Sequence, residues 1–197
     1  CMNLSHAYGT PPPAEAAGTL LLRALDQGIT HFDTAALYGF GANESLLGRV
    51  LKPHRQKIFL ASKCGMTGLD GKRVIDGRPQ TLKRTCEESL GRLQTDVIDL
   101  YYLHRWDRQV PIEDSVGALA ELVREGKIRS IGLSEVSAAT LRRAPQAWLN
   151  EQRLIAAKQM LRTAGTVKEV AYSLGFHSAS QLSRDFKGYF GIAPSTL

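Results

Sequence analysis

Apolar and polar positions run in two rhythms along the chain. Short apolar runs at 29–34, 57–63, 97–104 and 128–134 read as strands. The second holds Ile58-Phe59-Leu60-Ala61-Ser62 between two lysines, and the third is rich in β-branched and aromatic residues. Between them, segments 14–27, 41–51, 79–93 and 112–126 follow the helical period. In the last of these, Val116, Leu119, Ala120 and Val123 fall at i, i+3, i+4 and i+7, one apolar stripe. Strands separated by helices predict βαβ units and a parallel sheet, so the expected fold class is α/β.

After Ser134 the strand rhythm stops. A helix is expected over 148–163, with Leu154, Ala157 and Leu161 on one face. Thr166 stands as an N-cap, with Glu169 three residues on as its capping-box partner. Val167, Val170, Ala171 and Leu174 follow at helical spacing, Gly175 ends that helix, and another is expected over 178–188 with Leu182 and Phe186 inward. The period changes near Ala144-Pro145, which sets the expected domains at 1–144 and 145–197.

Composition narrows the picture. The chain has 197 residues, 43% of them hydrophobic and 22% charged, which fits folded domains and excludes a wholly disordered or low-complexity chain. Nothing resembles a signal peptide at Cys1-Met2-Asn3-Leu4-Ser5-His6, and no run of about 18 apolar residues occurs, so no membrane partner is expected. Three scattered cysteines and five histidines without ligand spacing predict no disulfide framework and no metal, and the odd cysteine count suits a cytoplasmic setting. Net charge is +6. Residues 1–144 carry 19 basic and 16 acidic side chains, and residues 145–197 carry 6 and 3, so each part holds +3 and the shorter part holds it more densely.

Four polar residues follow the expected strands: Asp33 and Tyr38 after the first, Lys63 at the end of the second, and His104 at the end of the third. In a parallel α/β barrel, C-terminal strand ends share one pocket. Taken singly, each also fits a cap, a surface site or a satisfied core position. Together they suit carbonyl reduction. A tyrosine is a poor acid at its free pKa of ~10. A neighbouring ammonium stabilises its phenolate, a carboxylate holds that ammonium, and a histidine orients the substrate oxygen.

Residues 1–144 resemble the aldo-keto reductase family. The resemblance is carried by Gly28-Ile29-Thr30-His31-Phe32-Asp33-Thr34-Ala35 through Tyr38-Gly39, by Asn43-Glu44, and by Ala61-Ser62-Lys63. It continues through Leu90-Gly91-Arg92-Leu93, Asp96-Val97-Ile98-Asp99-Leu100-Tyr101, His104, Gly126-Lys127-Ile128-Arg129 and Ile131-Gly132-Leu133-Ser134. It implies a catalytic tetrad of Asp33, Tyr38, Lys63 and His104, NADPH as cofactor, and a small carbonyl substrate. It also implies that Met2, Asp33, Ser134 and Glu135 border the cofactor, with Glu135 standing where many members have Asn. By the same resemblance, the chain begins inside the first barrel strand and leaves the pattern after Leu141-Arg142-Arg143-Ala144. The expected architecture is thus an incomplete (β/α)8 barrel of strands one to five. It lacks the later strands that bear a nicotinamide-contacting glutamine and the basic residues for the adenosine 2′-phosphate. A complete barrel takes ~250 residues. An open sheet edge is also expected to permit self-association.

Two short helices around Gly175, with Ser180, Gln181, Arg184 and Lys187 away from the second helix's apolar face, fit a helix-turn-helix or a small helical cap. Residues 148–197 resemble the linker helix and second helix-turn-helix of AraC-type transcriptional regulators. The matching words are Arg153-Leu154, Ala157, Leu161, Thr166 through Ala171, Gly175-Phe176, Ser178, Arg184-Asp185-Phe186-Lys187, Phe190-Gly191 and Pro194. This resemblance implies duplex DNA as a partner of residues 166–190, with Ala179, Ser180, Gln181 and Arg184 toward the major groove and Lys187 suited to a phosphate. Three readings follow: an NADPH-dependent reductase, a DNA-binding regulator, and a joined product of two incomplete modules without evolved function.

Overall fold

The computed structural model describes residues 1–5, 9–69, 72–163 and 165–197; the side chains of residues 69, 145–148 and 151 lie outside that description. Two compact units are formed, Cys1–Ala144 and Pro145–Leu197.

In the first unit, β1 (His31–Asp33), β2 (Phe59–Cys64), β5 (Ile98–Leu103) and β6 (Ile128–Leu133) make a four-stranded sheet in that order, all parallel. Helices α1 (Ala14–Asp26), α2 (Ala42–Leu51), α3 (Pro79–Leu93) and α4 (Ile112–Arg124) separate them in the chain and pack side by side in sequence order. Burial follows position. Leu60 to Cys64 of the central β2 are all buried, whereas the outer strands β1 and β6 are mixed. Leu47, Leu82, Ile98, Tyr101, Leu103, Leu119 and Ile128 form the fully buried heart of the core.

Helix ends are set locally. Pro79 opens α3, where its missing N–H costs nothing, and Gln94 in the left-handed conformation closes it. Glu113 and Asp114 lie on the first turn of α4, where the helix dipole favours negative charge. Gly48 lets α2 approach α3, since a Cβ there would stand 2.2 Å from the Arg92 carbonyl oxygen. At the opposite end of the strands from Lys63 and His104, buried Asp99 accepts hydrogen bonds from Arg55 at 2.7 Å and the Leu60 amide at 2.8 Å, and it pairs with Arg129 at 3.0 Å. A buried carboxylate so satisfied ties β2, β5 and β6 together.

The structure corrects two expectations and adds a hairpin between them. Met2–Leu4 is a short 3-10 helix, and among the described residues no strand precedes His31. The Ser5 amide bonds the Met2 carbonyl and the Asn43 side chain takes the Cys1 carbonyl, so local and side-chain partners replace a strand ladder. An antiparallel hairpin of β3 (Met66–Leu69) and β4 (Lys72–Ile75) follows β2. A helix expected from 148 instead begins at Ala138: α5 runs Ala138–Thr163, through the position where the period changes. Ser137 caps its start by accepting a hydrogen bond from the Thr140 amide at 3.1 Å.

The second unit packs Leu154 and Ala157 of α5 against α6 (Val167–Ser173) and α7 (Ala179–Phe190). Val170, Ala171, Phe176, Leu182 and Phe186 complete its core. Thr166 and Glu169 form a reciprocal capping box at α6, and Gly175, at φ +74°, makes the turn that leads to α7. Among the described residues no helix is long and apolar enough to cross a membrane.

Candidate functional site

The C-terminal ends of β1, β2 and β5 bring the four expected polar residues together. Asp33 is the last residue of β1, Lys63 lies near the end of β2, and His104 directly follows β5. Lys63 Nζ donates to Asp33 Oδ1 and, at 2.8 Å, to the Thr34 carbonyl. The same ammonium lies 4.9 Å from the centroid of the Tyr38 ring. The His104 ring stands edge-on to Tyr38, with centroids 5.7 Å apart and planes at 87°. Tyr38 opens the 3-10 turn between β1 and α2 and is half-buried.

Electrostatics follow from this enclosure. His104 is buried, and its Nδ1 has no hydrogen-bond partner among the described residues. Burial pushes its pKa down to about 4, with the charges of Lys63 and Arg105 adding to the effect. The imidazole is therefore neutral at pH 7 and keeps one N–H for donation.

Ser134 and Glu135 follow β6 in the same direction. The Ser134 amide bonds the Leu103 carbonyl at 3.1 Å, and Glu135, with φ of 51°, pairs with Arg105 at 2.6 Å. Met2 is placed differently: it lines a surface depression of about 440 Å³ with Leu20, Leu21, Ala24, Ile29 and Phe32, in which none of Asp33, Tyr38, Lys63 and His104 takes part.

Support for the cluster comes from side chains whose role sequence reasoning missed. Thr34 Oγ1 donates to Asn43 Oδ1 at 2.7 Å, and buried Glu44 accepts from Ser62 Oγ at 2.5 Å and from Arg92 Nε at 2.7 Å. Asn43-Glu44 is visible as a motif, but its partners are 9, 18 and 48 residues away, so only the fold joins them.

In the second unit, Ser180, Arg184 and Lys187 are exposed on α7 at spacings of four and three, one helical face. Ala179 is half-buried. Gln181 is held: its Oε1 accepts from the His177 amide at 2.9 Å and its own amide donates to Ser178 Oγ at 3.1 Å.

A parallel α/β sheet with polar side chains gathered at the C-terminal ends of its strands has the layout of the (β/α)8-barrel class. The profile of the aldo/keto reductase family matches residues 1–177, and the chain belongs to that family. A relative from Glycine max, described as "Probable aldo-keto reductase 1", is 46% identical over 146 residues, covering 73% of this chain and 42% of its own length. Among solved structures, an aldo-keto reductase from Bacillus halodurans in its holo form shares 37% identity at a TM-score of 0.67, covering 75% of this chain and 48% of that one. An aldo-keto reductase from Klebsiella pneumoniae, solved in complex with NADP and acetate, shares 31% identity at a TM-score of 0.56 over 66% of this chain and 42% of that one. The chain thus spans under half the length of these relatives. Residues 161–196 also match the profile of bacterial regulatory helix-turn-helix proteins of the AraC family.

Proposed function

We propose that the first unit is built for NADPH-dependent reduction of a small aldehyde or ketone. The observation that carries this reading is the cluster in which Asp33 and the Thr34 carbonyl hold Lys63 beside the Tyr38 ring, with His104 edge-on to the same ring.

When bound, the dihydronicotinamide supplies a hydride. The protein's part is to orient the carbonyl and deliver a proton. His104, neutral because it is buried, donates a hydrogen bond to the substrate oxygen and polarises it. Tyr38 gives its hydroxyl proton to the oxygen that becomes the alcohol, and the Lys63 ammonium stabilises the phenolate left behind until solvent returns the proton. Asp33 keeps the ammonium aimed.

The donors present fit the nicotinamide end of the cofactor. Ser134, just beyond the end of β6, would border it, while Glu135 is engaged by Arg105. By the family resemblance, the groups for the adenosine end belong to later barrel strands, and among the described residues of the first unit the parallel sheet stops at β6, so weak cofactor binding is expected.

The test is NADPH consumption by the whole chain with a small aldehyde, and by its Tyr38→Phe variant. Tyr38→Phe should lower turnover about 10²- to 10⁴-fold, the usual contribution of a positioned proton donor. No consumption, or equal rates in the two proteins, would overturn the reading.

A second reading, duplex-DNA binding by residues 166–190, is favoured by the match at 161–196 and by the exposed face of Ser180, Arg184 and Lys187. Here Arg184 reads a base edge and Lys187 a phosphate, while Gln181 serves the helix cap. Self-association is assigned to the outer edge of β6, whose Arg129 and Ser130 are exposed and which pairs only with β5 among the described residues.

A further inference from the structure

β1 is three residues long and lies at the edge of the sheet, and Thr34 lies beyond its end. Yet the Thr34 carbonyl is one of two oxygens that hold Lys63 Nζ, the other being the Asp33 carboxylate. The sheet holds the flanking backbone, since the Thr34 amide donates to the Ala61 carbonyl at 2.9 Å and the Ala36 amide to the Lys63 carbonyl at 3.1 Å, and side chains of α2 add a second hold. The Thr34 hydroxyl donates to Asn43 Oδ1 at 2.7 Å, and both residues are fully buried. Asn43 is in turn held by its Nδ2, which donates to the Cys1 carbonyl at 2.9 Å and to Ser5 Oγ at 3.0 Å. Its neighbour Glu44, fully buried, is bonded to Ser62, the residue that precedes Lys63 on β2, and to Arg92 of α3. The first turn of α2 therefore grips both strand ends at once: Asn43 takes the end of β1, and Glu44 takes β2 beside the lysine.

We propose that Asn43 is a positioning residue for Lys63, acting through the Thr34 hydroxyl to aim the Thr34 carbonyl at the ammonium. Its catalytic meaning rests on the reductase reading, whereas the positioning itself does not. Removing the amide leaves a buried hydroxyl without its acceptor, so the Thr34 peptide keeps its backbone bonds to β2 but loses its side-chain hold, and the aim of its carbonyl at the lysine loosens.

The experiment is acetylation of the whole chain with a limiting amine-reactive ester, with Lys63 followed by peptide mass spectrometry. Alkylation of the buried thiols Cys64 and Cys86 is measured in parallel as a fold control. Asn43→Ala and Thr34→Val should each raise the Lys63 rate about fivefold, the scale set by one buried hydrogen bond. The double variant should go no further than either alone, because both changes break the same link. Thiol labelling should stay slow in all of them. Thr34→Val, which exchanges a hydroxyl for a methyl, decides the matter if Asn43→Ala does not fold. An unchanged Lys63 rate, an additive double variant, or thiol labelling that rises in step with Lys63 would each overturn the proposal.

In the NADPH assay the same variants should lower kcat with little change in KM for the aldehyde. A chain without turnover defeats the reductase reading, and the labelling result still decides the role of Asn43.

Discussion

His104 shows how one residue's surroundings set its chemistry. Its place after a strand is readable from the sequence, but its charge is not, because desolvation depends on what covers it. With its pKa lowered from 6.5 to about 4, the folded protein binds fewer protons than the unfolded chain across that window. Stability then rises with pH there, is complete above about 6.5 and is lost as pH falls toward 4. The midpoint of thermal unfolding should drop over this range, and His104→Gln should flatten the slope. An unchanged slope in the variant would show that His104 is not buried as described. Asp33, Tyr38 and Lys63 were legible in the same way as His104, each from its own strand-end word. Asn43 was not, since its meaning lies in a hydrogen bond to Thr34 across a turn.

At the scale of elements, the parallel strands and most helices follow their period closely, and the exceptions have local causes. The β3–β4 hairpin was missed although Asp70-Gly71, a strong hairpin dipeptide, lies between the two strands. Neither strand alternates apolar and polar residues cleanly, so that dipeptide was the signal the sequence offered. α5 starts ten residues before the expected start at 148, because its first turns are capped by Ser137 and, among the described residues, bury Thr140 and Ala144 without an apolar stripe. The second unit depends on such caps. Ser178 caps α7 by accepting from the Gln181 amide at 3.1 Å, so Ser178→Ala should cost about 1 kcal/mol. Chemical denaturation followed by helix signal checks this, and a loss within error of zero would mean that the cap contributes nothing.

At the scale of the whole molecule, the charge divides evenly between two units of unequal length, +3 in 1–144 and +3 in 145–197. If the shorter unit contacts DNA, its affinity is largely electrostatic and falls steeply with salt. A gel-shift titration across salt concentrations should show this for the whole chain. Arg184→Ala should weaken binding, and Lys187→Ala should reduce the salt slope by about one. Absent or salt-independent binding would count against the DNA reading. What the sequence determined by itself is whatever depends on neighbours along the chain: helices and strands from their periods, caps and the polar strand ends. The tertiary structure alone decided what depends on neighbours in space. It fixed that the Thr34 carbonyl shares Lys63 with Asp33, that His104 is neutral, and that Glu44 joins Ser62 to Arg92. Hydrogen bonds across long loops and the loss of water around a buried group exist only once the chain has closed on itself.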